Sequence, residues 1–169
     1  SVAPGLDPKL ALQRKRLRAR SVFELGDSET ALKLINADKE RDADLLRADI
    51  FWRTRNWVSA GKVFERLLGN DGQDGRRIND LSATLILNWV VALSMSEQGE
   101  ALNKVRQIYS LQMDMTQYRE AFRLITNKTD GDIQDFRTLT DRFKEIGRFQ
   151  AFLTTYREKL KTKLLSEMN

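Results

Sequence analysis

The sequence predicts an all-α protein, built as antiparallel helical hairpins stacked into a short α-solenoid with C-terminal capping helices. Three observations lead there. Apolar residues recur at helical spacing, and no alternation of period 2 persists anywhere along the chain. Nine Gly and two Pro in 169 residues, with 41% hydrophobic and 31% charged residues, describe an ordered helical chain rather than a linker. One spacing of small and large apolar residues also returns along the chain.

The elements follow from their punctuation. After Pro8 a helix runs from Lys9 to Leu25 and stops at Gly26, a residue suited to the position after a helix end. Asp27-Ser28 caps a second helix from Glu29 to Ala37. A third spans Arg41 to Arg55 and a fourth Trp57 to Leu68. The Gly-rich stretch from Gly69 to Gly75 reads as a mobile surface connection. The uncharged run from Leu81 to Ser96 is too short and too polar to span a bilayer, so a buried core helix is expected around Leu81 to Met95. Further helices are expected at Gln98 to Leu111, Met115 to Thr126, Ile133 to Ile146 and Arg148 to Leu165. Phe149, Phe152, Leu153, Tyr156, Leu160 and Leu164 form one apolar stripe on the last of these, with Lys159, Lys161 and Lys163 largely off it. That helix is expected to seal the core. Residues 1–8 form an N-terminal extension, 9–111 the helical repeat region with an irregular third hairpin, and 112–169 the C-terminal helices closing the stack.

Composition narrows the chemistry. The chain has no His and no Cys, which removes Ser-His-Asp and Cys-His nucleophile systems, disulfides and ordinary zinc sites. No catalytic residue, metal ligand or cofactor site is assigned, and no enzyme activity is expected. With Gly75 as the turn glycine of a calcium loop, Gly72 and Leu81 would fall at ligand positions that need oxygen-bearing side chains. Gly61-Lys62 lacks the upstream glycine of a phosphate-binding loop. The absence of Cys fits the cytoplasm and equally a periplasm that avoids disulfides, and leaves the compartment open. The first apolar residues lack the long h-region of a signal peptide; without an initiator Met, Ser1 reads as the start of an excised or trimmed chain.

The net charge of +5 is unevenly placed. Residues 1–42 carry 9 basic and 7 acidic residues, 43–141 carry 13 and 14, and 142–169 carry 7 and 3. The tightest cluster is Arg14, Lys15, Arg16, Arg18 and Arg20, and period 3.6 spreads it around a solvated helix surface.

Steps of 3, 9 and 4 residues recur in Ala19, Val22, Ala31, Ile35, in Ala48, Phe51, Ala60, Phe64, and more weakly in Trp89, Ala92, Ala101, Val105. Small residues on two antiparallel helices let their backbones approach, and larger ones plug the gap to the next pair. Ala19, Ala31, Ala48, Ala60 and Phe64 are therefore the expected packing residues of the repeat. With Leu45 to Arg53 and Asn56 to Leu68 as its best stretch, the segment 12–110 resembles the tetratricopeptide repeat family of helical hairpins. The region from Ala43 onward also resembles the C-terminal part of large alphaproteobacterial repeat proteins of undefined role. The intervals of 29 residues from Ala31 to Ala60 and 41 from Ala60 to Ala101 depart from a 34-residue family period.

The resemblance implies a groove lined by the first helix of each hairpin. Its residues would be Gln13, Arg16, Arg20 and Phe23, then Asp42, Leu45, Asp49, Trp52 and Arg53, then the apolar Ala83, Ile86, Val90 and Leu93. So greasy a third face is expected to be covered by the helices after Met113. The implied partner site is Arg16, Arg20, Phe23, Asp49, Trp52 and Arg53, receiving an acidic peptide or another protein. Two alternatives stand beside it. One is a nucleic-acid-binding domain using the basic first and last helices, although no aromatic alternates with the basic run. The other is a structural segment packing within a larger chain.

Overall fold

Asp7 starts the first helix: its side chain accepts the Lys9 amide at 3.0 Å, and Pro8 fills a first-turn position whose N–H would have no intrahelical partner. The computed structural model describes residues 7–127, and within them are seven helices and no strand. They are α1 (Pro8–Glu24), α2 (Ser28–Ile35), α3 (Arg41–Arg53), α4 (Trp57–Leu68), α5 (Asp80–Met95), α6 (Gly99–Asp114) and α7 (Arg119–Thr126). All seven belong to one compact unit. The helices expected at Ile133 to Ile146 and Arg148 to Leu165, with their apolar stripe, lie outside the described residues.

Most starts are set by a side chain. Asp27 accepts the Thr30 amide, Asn56 the Ser59 amide and Asn79 the Ser82 amide, each satisfying one orphan donor of a first turn. The seventh helix begins four residues later than the sequence suggests. Thr116 donates its hydroxyl to the Met113 carbonyl and accepts the Tyr118 amide, which makes a turn of the segment after Met115.

The three hairpin turns share one geometry. Gly26, Arg55 and Glu97 have φ of 97°, 58° and 57°. Each amide returns to the carbonyl three residues back, and the following amide to the one five residues back. These bonds run from Gly26 to Phe23 and Asp27 to Val22, from Arg55 to Trp52 and Asn56 to Phe51, and from Glu97 to Ser94 and Gln98 to Leu93. This is the Schellman closure of a helix end. Ala19 and Ala48 precede the left-handed residue by the same interval, and Ala31 and Ala60 follow it by the same interval. Those offsets, counted from Glu97, land on Val90 and Leu102. The spacing alone had pointed to Trp89 and Ala101; Ala92 and Val105 of that expected copy are buried, whereas the turn's offset for the last position falls on the half-buried Arg106, so the third hairpin matches the first two only in part.

Packing follows the small residues. Ala19, Ala31 and Ala60 are fully buried, and Ala48 and Phe64 are each 5% exposed. Helices α1 and α2 pack on each other, α3 packs on α4, and both α1 and α2 touch α3. Ala19, Phe23, Ala31, Ile35, Ala43, Leu46 and Ile50 form the core they share. The third hairpin joins differently. Helix α5 lies against α4, and its backbone makes no close approach to that of α3. Gly61 faces α5 at this joint, and a Cβ on it would sit in ordinary contact, 3.8 Å from Ala92 Cβ and 3.8 Å from the Trp89 ring. Helix α7 rests on both α5 and α6, and Ala83, Ile86, Val90 and Leu93 are all buried. Surrounded by α4, α6 and α7, α5 is buried without interruption from Ser82 to Asn88.

The Gly-rich connection lies mostly at the surface, as expected, and is tied to the fold at two residues. Its Gly72 is buried and accepts Gln112 Nε2 at 2.7 Å, and Asp71 accepts the Ser82 hydroxyl. Helices α5 and α6 thus hold it at two adjacent residues.

Candidate functional site

The expected groove residues, taken with the rest of the basic cluster on α1, divide into three environments. Arg16, one of five basic residues in the α1 cluster, points inward and is only 6% exposed. Its Nε and Nη2 donate to the two oxygens of Asp38 at 2.6 and 3.1 Å, Nη2 donates to Glu40 at 2.9 Å, and Nη1 donates to Asp42 at 3.4 Å. A planar guanidinium can serve several carboxylates at once, which makes a nearly sealed position tolerable. This corrects the placement of Arg16 on an open groove. Burial works against its charge, but the hydrogen bonds to Asp38 and Glu40 outweigh it and hold the pKa above the ordinary arginine value. Burial likewise pushes the Asp38 carboxyl up, and the Arg16 bonds more than reverse that, leaving it below the usual carboxylate range.

A second group gathers at the C-terminal end of α1. The Arg53 guanidinium lies 4.4 Å from the centre of the Phe23 ring, donates to Glu24 at 2.7 and 3.3 Å, and stands 3.9 Å from Asp49. The bonds to Glu24 raise its pKa, with burial as the smaller, opposing effect. Trp52 meets Trp57 edge to face at 5.2 Å and Phe64 at 5.8 Å. Phe23, Asp49 and Arg53 therefore come together in contacts with their own chain, and Trp52 packs on two aromatic rings of α4. Arg20 lies apart and half-buried.

The third environment is the outer side of α1. Arg14, Lys15 and Arg18 are exposed and make no ion pair among the described residues. Arg14 and Arg18 stand one helical turn apart on the same side, with Lys15 beside them.

Several partners escaped the sequence. Asp44 receives Arg66 on both oxygens at 2.8 and 2.6 Å and Arg47 at 2.7 Å. Burial again opposes the charge, and the two arginines overcome it to keep the Asp44 pKa low. Arg47 also donates to the carbonyls of Ile35, Asn36 and Asp38, closing the C-terminal end of α2. Arg41 does the same for α4 through the Leu67 carbonyl at 2.7 Å. The readable signal was the alternation Asp38, Glu40, Asp42, Asp44 before and into α3, more acid than a first turn needs.

Among the described residues no group of His, Cys, Asp and Glu is arranged to hold a metal ion, and no helix is long and apolar enough to cross a membrane. No family model matches the chain, and neither a curated protein nor a solved structure matches it.

Proposed function

We propose that this chain is a non-catalytic protein–protein interaction module, built on tetratricopeptide-like hairpins, that binds an acidic peptide or protein through the outer side of α1. One observation carries the reading. Of the clustered cations, Arg16 is neutralised internally by three carboxylates, while Arg14, Lys15 and Arg18 stay exposed and unpaired among the described residues. Unpaired cations on one rigid helix face favour an anionic partner and speed its encounter. The first two hairpins support the repeat-like part of the reading through their matching turns and small packing residues.

The test is fluorescence anisotropy with a labelled Asp/Glu-rich peptide and, in parallel, a labelled DNA duplex. The triple variant Arg14→Glu, Lys15→Glu, Arg18→Glu should weaken peptide binding by at least about tenfold, the equivalent of ~1.4 kcal/mol. Peptide affinity unchanged by the triple variant would sink the assignment. Tighter binding to the duplex, falling steeply with added salt, would transfer the same face to nucleic acid.

A further inference from the structure

Helix α6 has two apolar sides. Leu102, Val105, Tyr109 and Met113 are buried against the rest of the chain. Ile108 and Leu111, and Met115 just past the helix end, are 44%, 79% and 58% exposed. With Ala101 and Lys104 they complete the series 101, 104, 108, 111, 115, whose steps of 3 and 4 alternate. That is the first-and-fourth-position pattern of a heptad, the seam along which two helices wind together. A seam ending in three exposed large apolar residues is more than the scattered surface hydrophobics of an ordinary helix.

We propose that this seam pairs two copies of the chain, antiparallel, through α6. The charges on the helix choose both the occupant and the direction. Parallel pairing would set Lys104 against Lys104 across the axis, two like charges at a partly desolvated position. Antiparallel pairing places Ile108 of one copy against Leu111 of the other. In that register Lys104 falls opposite Met115 and one residue from Asp114. Asp114 already accepts Arg123 at 2.9 and 2.8 Å, and two carboxylate oxygens have lone pairs left for a second cation. Each copy supplies both the lysine and the acid, so the contact satisfies itself twice about a twofold axis. A lysine at a seam position specifies register at a cost in stability, so the dimer is weak and forms as concentration rises.

The whole chain should be followed by sedimentation velocity over about a hundredfold range of concentration, wide enough to carry a weak equilibrium through its midpoint. A monomer–dimer equilibrium is expected. Leu111→Glu should weaken it by about tenfold or more, and Lys104→Leu should tighten it by a similar factor. Neither should alter the thermal melt of the monomer, because both side chains are exposed. Since the chain has no cysteine, Ile108→Cys and Leu111→Cys variants can be mixed and oxidised. The mixed pair should cross-link in preference to either variant with itself. A chain monomeric at every concentration, a dimer indifferent to Leu111→Glu, or self-cross-linking that exceeds the mixed product would each overturn the proposal.

Discussion

Arg16 and Asp38 meet across 22 residues as a fork on a carboxylate, with Nε–Oδ2 at 2.6 Å and Nη2–Oδ1 at 3.1 Å, and neither side chain is more than 6% exposed. The pair joins α1 to the segment between α2 and α3. Removing either partner strands the other charge where water barely reaches. Arg16→Ala is therefore expected to lower stability by about 3–5 kcal/mol, the usual cost of breaking a buried pair. Arg18→Ala, on the exposed side of the same helix, should stay within about 0.5 kcal/mol of the parent. Urea unfolding of the two variants makes the comparison.

Acid should loosen the same joint. The carboxyls of Asp38 and Asp44 lie below the ordinary value of 3.8, so the folded chain binds fewer protons than the unfolded one as pH falls through that range. Their contribution is complete above the unfolded value and disappears as pH drops through the lower folded values; the arginines stay charged throughout. The urea midpoint should be level from about pH 5 upward and fall below about pH 4. Asp44→Asn should lower the midpoint at neutral pH and flatten part of that slope. A midpoint that rises on acidification would contradict the sign.

The hairpin turns can be improved. A left-handed conformation costs a residue with a side chain about 1–2 kcal/mol, and Arg55 and Glu97 both adopt it. Arg55→Gly and Glu97→Gly should each stabilise by up to about 1 kcal/mol, after the larger unfolded-state entropy of glycine is set against the relief. Gly26→Ala should destabilise by about 1–2 kcal/mol. Thermal melts of the three variants would show opposite signs.

Two other glycines should respond in opposite directions. A Cβ on Gly72 would lie 2.5 Å from Ile78 Cγ2 and 3.3 Å from the Tyr109 ring, on a backbone at φ 75°. Gly72→Ala should therefore cost more than the backbone strain alone, about 2–4 kcal/mol when overpacking is added. Gly61 is helical, and the same atom there would find only ordinary contacts at 3.8 Å. Gly61→Ala should be neutral or stabilising by up to about 1 kcal/mol, since glycine is a poor helix residue. Denaturant unfolding of both variants settles the order.

The helices were legible because their signals are local. Gly26, Asp27 and Asn56 mark ends through bonds to residues a few places away, and these are bonds the structure contains. The paths of charge and loop were not legible. Arg16 looks like its four neighbours in a basic run until α2 and α3 bring acids to it from more than twenty residues away. Gln112 reads as one more polar residue on a helix, yet it reaches 40 residues back to hold Gly72. The third copy of the spacing was legible only in part: Ala92 and Val105 are buried as expected, but the turn at Glu97 sets Val90 and Leu102, not Trp89 and Ala101, at the offsets that Ala19, Ala31, Ala48 and Ala60 occupy.

The ionic contacts around α3 have a consequence for how the protein opens. Arg47 holds the end of α2, Asp44 is held by Arg66 of α4, and Arg16 of α1 grips the chain just before α3. These bonds run between hairpins as well as within them. Repeat arrays often fray one link at a time, because each unit leans only on its neighbours. Here the first hairpin cannot detach without exposing charges that the second one satisfies. Their amides should therefore exchange with solvent as a single cooperative block, one that is itself packed onto α5 through α4.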